Sequence, residues 1–199
     1  MTDTDRTDRT DRNPGQIVRP LIRVRQYRQF TDEPLTDREL AAIVDAARWS
    51  GSSRNSQPWR FIVIRDRAVI SRIHEMGMPQ TRSLETALSA IAIAVPDGGS
   101  VDGDDGDDVS YAYDEGRAAE RMLIAASFLG LGAGIAWLLP HLRQPIGEML
   151  KLPGGWIVRT IVVAGHPTEA ARAPKLGVEK ARLPRNETVF EERWPDTKI

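Results

Sequence analysis

The stretch GSSRNSQPWRF, residues 51–61, gathers short hydrogen-bonding side chains directly ahead of an apolar run. Its donors and acceptors come from Ser52, Ser53, Asn55 and Gln57. These groups would suit a planar heterocycle that carries a ribityl chain and a phosphate. The alternative is a polar loop that ends one helix and starts a strand, with Pro58 as the first strand residue. Taken alone, the stretch fits both interpretations.

Two basic clusters lie far apart in the chain and could bind one anion. Arg25 and Arg28 flank Tyr27 just before the apolar Phe30. Arginine binds phosphate through planar, bidentate hydrogen bonds and stays charged at any working pH. The second cluster, near the C-terminus, consists of Lys175, Lys180 and Arg182. The alternative is that both clusters are solvated surface charge.

The glycine-rich run GLGAG, residues 130–134, does not indicate a dinucleotide-binding Rossmann fold. That fingerprint follows a strand and opens a helix, whereas this run follows a predicted helix and opens a predicted strand. One interpretation is a glycine helix stop with close backbone packing. The other is a backbone exposed to a ligand at Gly132 and Gly134, where no Cβ intervenes.

Composition excludes several classes of function. The chain has no cysteine and three histidines without metal-binding spacing, so we expect neither a thiolate nucleophile nor a metal site. Its net charge of -1 gives no basic surface for nucleic acid. The acidic stretch 97–108 lacks the register of a calcium-binding loop and is predicted to be a solvated loop.

The order of predicted elements favours an α+β fold. Residues 1–13 repeat Thr-Asp-Arg and are predicted to be a disordered tail, which leaves one domain over 14–199. Thr36 and Glu39 have the spacing of a capping box at the start of a helix that ends at Gly51. Further helices are predicted over 14–24, 68–77, 114–130 and 144–152, and strands over 58–66, 87–96, 133–139 and 156–165. With neither a signal peptide nor a span, a cytoplasmic location is expected.

Taken together, three stretches resemble the nitroreductase family of FMN-dependent oxidoreductases. RQYRQF followed by a helix resembles the family's Arg-Ser-x-Arg-x-Phe opening, and SGSSRNSQPWRF resembles its Pro-Ser-Ser-x-Asn-x-Gln-Pro-Trp-x-Phe block. The helix that ends in GLG and the closing IVVAGHP with KARLP extend the match to roughly residues 16–194. Two departures are Gln26, where the family usually has serine, and Gly51, where it usually has proline.

The resemblance implies a central mixed β-sheet flanked by helices, in an interlocked homodimer that exchanges C-terminal arms. FMN would lie at the subunit interface, with Arg25, Gln26 and Arg28 near its phosphate, ribityl chain and pyrimidine. Ser52, Ser53 and Asn55 would reach it from the neighbouring subunit. The backbone at Gly132 and Gly134 would meet the flavin edge, and Lys180 and Arg182 would close on the phosphate.

The expected chemistry is ping-pong transfer of hydride from NAD(P)H through FMN to a nitroaromatic, quinone or similar small-molecule acceptor. The flavin does the chemistry and the protein tunes it, with Arg28 as the cation that favours reduction. Two alternatives stay open: a non-enzymatic FMN store or sensor, and another flavin chemistry such as dehalogenation or flavin fragmentation. Nucleic acid and membrane are not expected as partners.

Overall fold

The protein is described by a computed structural model that covers residues 13–98, 106–173 and 182–194. Its helices are α1 (Pro14–Ile22), α2 (Asp37–Arg48), α3 (Arg67–Gly77), α4 (Gly106–Phe128), α5 (Pro140–Met149) and α6 (Glu169–Arg172). Its strands are β1 (Arg60–Ile64), β2 (Ser89–Pro96), β3 (Gly132–Trp137) and β4 (Trp156–Gly165). Short 3-10 turns cover Ser53–Asn55, Arg82–Leu84 and Arg185–Glu187.

The four strands form one sheet in the order β1-β2-β4-β3, and every neighbouring pair is antiparallel. The predicted mixed sheet is therefore wrong for these strands. A parallel contact occurs as an isolated bridge between Gln26 and Ala133, at the outer edge of β3. The α+β class is confirmed.

Alternation along the strands builds a core on each face of the sheet. In β2, Ile91, Ile93 and Val95 pack with α2 and α4, while the intervening alanines pack with α3 and α5. The period of two in a strand explains this division. Among the described residues, no helix is long and apolar enough to cross a membrane.

Several predicted boundaries need correction. The helix predicted over 114–130 begins eight residues earlier, at Gly106, so the predicted acidic loop 97–108 gives way to helix at its end. Helix α5 begins at Pro140 rather than 144, because proline is well suited to the first helical position. The rest of the acidic stretch, 99–105, and the predicted tail over 1–12 lie outside the described residues.

The capping box is present as predicted and fixes the start of α2. The Thr36 hydroxyl accepts the N–H of Glu39 at 3.2 Å, and the Glu39 carboxylate accepts the N–H of Thr36 at 2.8 Å. Hydrogen bonds from Thr36 lower the pKa of Glu39. This helix leads directly into the polar loop that precedes β1.

Candidate functional site

The segment 25–31, which we call the strap, runs along the free edge of β3. The backbone N–H of Tyr27 donates to Ala133 O at 2.8 Å, and Gln26 Oε1 accepts the N–H of Ile135 at 3.2 Å. Further on, the N–H of Phe30 donates to the hydroxyl of Thr86 at 2.9 Å. The first two bonds join the RQYRQF motif to β3, and the third joins it to the turn before β2.

Both glycines of β3 are required by this close approach. A Cβ on Gly134 would lie 2.1 Å from the backbone oxygen of Tyr27, and one on Gly132 would lie 2.9 Å from the Tyr27 ring and 2.6 Å from Pro167. Neither contact is possible for a larger residue without displacing the strap. The close-packing interpretation of the glycine run is therefore correct for these positions.

The peptide groups of β3 alternate between β4 and the free edge. Ala133 O and the Ile135 N–H bond the strap, whereas the N–H of Leu138 donates to Arg159 O on β4 at 2.8 Å. By this alternation Trp137 presents its peptide to the free edge, and Gly134 faces β4. The predicted flavin contact at Gly132 and Gly134 stays a prediction. Along the free edge of β3, the N–H of Ile135 is already bonded to Gln26, so the outward-facing peptide is that of Trp137.

A pocket of about 300 Å³ lies where the strap meets the turn before β2. Arg28 and Arg82 line it together with Gln26 and Glu85. Neither guanidinium has a hydrogen bond or ion pair to another residue in the described ranges. We call it the arginine pocket. Two unpaired cations against one carboxylate give it an excess of positive charge suited to an anion.

Arg82 is not predicted from the sequence, because a single arginine ahead of a strand carries no pattern. Its position follows from Arg67, whose guanidinium donates to the carbonyl oxygens of Leu84 and Ala87 at 3.1 and 3.0 Å. These bonds hold the turn that bears Arg82 against the start of α3, and the bond from Phe30 to Thr86 joins the same turn region to the strap. The clustering comes from tertiary contacts between segments far apart in sequence.

Arg25 has a structural function in the described chain. Its guanidinium donates to the carbonyl oxygens of Ala171 and Ala173 at 3.0 and 3.3 Å, and it lies 4.9 Å from the Tyr27 ring centroid. It does not line the arginine pocket. These bonds cap the carboxyl end of α6, so the predicted phosphate contact of Arg25 remains a prediction.

The polar loop, residues 51–57, lies at the other end of the sheet. Its side chains at Ser53, Asn55 and Gln57 are exposed, and the Ser52 hydroxyl accepts the N–H of Gln57 at 2.9 Å. The loop leads into Arg60 at the start of β1. The Arg60 guanidinium lies 5.2 Å from the ring centroid of Trp156. No residue of the polar loop lines the arginine pocket.

Strand register defines the separation of these two regions. Gly132 pairs with Gly165 at the end that holds the strap, while Pro96 pairs with Trp156 at the end that holds the polar loop. The eight residues of β2 separate these ends by roughly 25 Å, at about 3.3 Å per residue. The strap also lies at the β3 edge, and the loop precedes β1 at the opposite edge.

Of the predicted C-terminal cations, one lies within the described residues. Arg182 is exposed and does not line the arginine pocket, and Lys180 lies outside the described residues. Within the described ranges, no three acidic or histidine side chains come close enough to hold a metal ion.

Comparison with known proteins identifies the relatives of this chain. The model of the nitroreductase family matches residues 23–95. A protein of Archaeoglobus fulgidus, provisionally named NADH dehydrogenase/NAD(P)H nitroreductase, is 30% identical over 163 residues, which are 77% of this chain and 87% of that protein. The FMN reductase (NAD(P)H) of Bacillus subtilis is 25% identical over 83% of this chain and 72% of its own length.

The fold agrees with these sequence relationships. A structure from Desulfovibrio desulfuricans, described as a provisional nitroreductase in complex with FMN, superimposes with a TM-score of 0.72. It is 26% identical, and the match covers 92% of this chain and 99% of that one.

Proposed function

The chain belongs to the nitroreductase family, and from that premise we propose that it transfers hydride from NAD(P)H through FMN to small acceptors. NAD(P)H and the acceptor would bind at the same FMN one after the other. The relatives of the chain confirm two predictions, that it is an NAD(P)H-dependent flavin oxidoreductase and that its cofactor is FMN. Nitroaromatics and quinones are the proposed acceptors, and ping-pong turnover is the proposed kinetic scheme.

The arginine pocket is the observation that supports this proposal most directly. Arg28 and Arg82 are two cations without partners in the described chain, beside a pocket of about 300 Å³. That volume suits one end of FMN, which needs positive charge at its phosphate and at its pyrimidine. The remainder would follow the free edge of β3, where the peptide of Trp137 faces outward.

We place the second half of each site on another copy of the chain. The polar loop and the arginine pocket lie at opposite ends and opposite edges of one sheet, so one chain does not join them around a single FMN. A symmetric homodimer can apply the loop of each chain to the pocket of the other. In this arrangement Ser52, Ser53 and Asn55 contact the partner's flavin.

Exposed apolar surface supports the proposed dimer and its arm exchange. The four large apolar residues of α1 are between 43% and 73% exposed, and none is buried. An apolar groove of about 520 Å³ follows the edge strand β1, and Leu40, Val44 and Val63 are among its lining residues. The C-terminal segment offers Leu183 and Trp194, which are 68% and 70% exposed, as groups that could cover such a surface on a partner.

FMN, when bound, supplies the hydride chemistry, and the chain's residues bind and tune it. Arg28 places a permanent positive charge beside the proposed pyrimidine position, which favours the reduced, anionic form. The outward N–H of Trp137 offers a directed donor at the flavin edge. Gln26, already bonded to Ile135, fixes the strap so that Arg28 faces the pocket.

The first test is the visible spectrum of the purified protein during anaerobic addition of NADH and then NADPH. We expect a yellow protein that bleaches with at least one nucleotide and recovers when a quinone or nitroarene is added. Steady-state rates should then give parallel double-reciprocal lines, which are typical of ping-pong turnover. Colour that persists with both nucleotides would favour the storage or sensing alternative and contradict the proposal.

The tuning role of Arg28 has its own test. We expect Arg28→Ala to weaken FMN binding by about tenfold or more, because a charge-assisted contact is lost. At saturating FMN it should also slow reduction by NAD(P)H. Arg28→Lys, which keeps the charge without the planar fork, is the matched variant and should recover part of the reduction rate. An Arg28→Ala protein with unchanged affinity and reduction rate would contradict this role.

A further inference from the structure

A buried carboxylate of α4 holds the polar loop from behind. Asp114 is 1% exposed, and its Oδ2 accepts the backbone N–H of Ser53 at 2.9 Å. The guanidinium of Arg117, one turn along α4, lies 3.6 Å from the other oxygen, Oδ1. It occupies the space beside Gly51, where a Cβ would lie 2.4 Å from Arg117 Nη2. The loop therefore rests on a buried carboxylate, whose cationic partner Arg117 has a side chain that is 43% exposed.

The backbone of the loop is strained and needs such support. Arg54, Asn55 and Gln57 have φ of 51°, 54° and 48°, in the left-handed region. Residues other than glycine adopt it at a cost, although asparagine tolerates it better than most. Strain of this kind persists only where surrounding contacts fix the conformation, and it concentrates at functional sites.

The bond to Asp114 uses a group that the proposed flavin contacts do not need. It takes the backbone N–H of Ser53 and leaves the Ser53 hydroxyl exposed. The Asn55 side chain is also exposed, and neither side chain has a hydrogen bond to another described residue. Asp114 thus fixes the backbone from inside while the side chains point outward.

We propose that Asp114 is a positioning residue of the flavin site. It holds the polar loop in the strained conformation that presents Ser52, Ser53 and Asn55 to FMN, and it does so without touching the cofactor. This inference rests on the proposed function, because it assigns the loop to flavin binding. It extends that function to a buried acid on α4, which the family motifs do not include.

The sharpest test removes the donor and leaves α4 intact. Ser52 has φ of -138° and ψ of 159°, which is the backbone conformation favoured before proline, and Ser53 opens the 3-10 turn. Ser53→Pro therefore removes the N–H with little change of backbone. Ser53→Ala is the matched control. Both variants lack the Ser53 hydroxyl, but only Ser53→Ala keeps the backbone N–H that Asp114 accepts.

We expect Ser53→Pro to bind FMN about tenfold more weakly than Ser53→Ala, measured by titration of the FMN-free protein through flavin fluorescence. The gain in Tm on adding FMN should fall in the same variant. Equal FMN affinity in the two variants would overturn the proposal. Equal Tm gains would do so too.

Variants of Asp114 provide an independent measurement. Asp114→Ala removes the acceptor, whereas Asp114→Asn keeps an oxygen that can accept the Ser53 N–H. We expect Asp114→Ala to weaken FMN binding by about tenfold, and Asp114→Asn to recover most of that loss. Glu120→Gln, an exposed change on the same helix, is the control and should bind FMN like the unchanged protein.

The two proposals fail in different ways. If Asp114 only supports the fold, Asp114→Ala will lower the Tm of the FMN-free protein and leave FMN affinity unchanged, which overturns the positioning role. The flavin function is judged separately, from bleaching of the FMN-saturated Asp114→Asn protein by NAD(P)H. If the flavin function is wrong, NAD(P)H will bleach neither the Asp114→Asn protein nor the unchanged protein.

Discussion

The strap and the polar loop are both parts of the predicted flavin site, yet they are built in opposite ways. The strap is bonded to a strand edge, and the glycines of that strand let it approach so closely that a Cβ would meet it at 2.1 Å. The polar loop is exposed, carries three left-handed residues and is held by a buried carboxylate. The first is rigid through packing, and the second is held by a few polar contacts.

This difference explains how each region can serve a shared cofactor. The strap belongs to the sheet of its own chain and places Arg28 at a pocket that the same chain forms. The polar loop lies at the other end and the other edge of the sheet from the strap, so in the proposed dimer its exposed side chains contact the flavin held by the other chain. In the proposed composite site, one chain supplies the arginine pocket and the other supplies the polar loop.

The largest expected effect, on stability and on FMN binding, comes from adding a side chain between the strap and β3. Gly134→Ala places a Cβ against the Tyr27 backbone oxygen, which a small rotation does not relieve. We expect the free energy of unfolding to fall by about 2 kcal/mol and FMN binding to be lost. Gly154→Ala, where the added Cβ meets nothing within 4 Å, is the control for urea denaturation. Equal stability of the two variants would mean that the strap is loosely held.

A second prediction concerns the end of the sheet that holds the polar loop. Glu115 is 2% exposed, and its Oε2 accepts a hydrogen bond from Arg159 Nε at 3.0 Å. Burial raises the pKa of Glu115 above its ordinary value of 4.5, although Thr160 and Arg159 oppose the shift.

The sign of the resulting pH dependence follows from this shift. Between pH 4.5 and the raised pKa, the folded state holds a proton that the unfolded state has released. Stability from this group is therefore fully present below about pH 4.5 and is lost as pH rises through the folded pKa. Glu115→Gln lacks this titration, so we expect the difference in Tm, unchanged protein minus variant, to fall as pH rises from 4.5. A flat difference would contradict the raised pKa.

The smallest predicted effect tests the strain of the polar loop. Arg54 has φ of 51°, so Arg54→Gly should relieve a left-handed strain of about 1 kcal/mol. The greater freedom of glycine in the unfolded chain offsets part of this gain. We expect a net stabilisation on the order of 0.5 kcal/mol in urea denaturation. Arg48→Gly, in the last turn of α2, is the contrast and should be destabilising, since its backbone is helical.

Local patterns in the sequence predicted the elements better than the site. The capping box of Thr36 and Glu39 is a short-range signal, and it is present. The helix predicted over 114–130 rests on apolar residues at helical spacing, and Ala119, Met122, Leu123 and Ala126 do lie in the core. The early start of α4 was missed because its first residues are acidic and carry no stripe. Helix α5 begins earlier than predicted because proline at its first position is a stronger signal than the later apolar residues.

The contacts that build the site connect residues far apart in the chain. Gln26 bonds Ile135 across 109 positions, and the turn with Arg82 reaches the strap through Phe30 and Thr86. No spacing rule predicts such pairs. Asp114 had a weak signal, since it lies at helical spacing before Ala118 and Met122, which are both buried. A charge on the buried face of a helix calls for a hydrogen-bonding partner.

The most direct test of the composite site is complementation between two chains with impaired activity, measured at limiting FMN. One chain carries Arg28→Ala, which disables its pocket, and the other carries Asn55→Ala, which disables its loop. If the loop acts on the partner's pocket, a mixed dimer contains one intact site. It should then recover up to half of the NAD(P)H oxidation rate of the unchanged dimer, well above either parent. If the mixed dimer is no more active than the average of its parents, both halves act within one chain, and the account is contradicted.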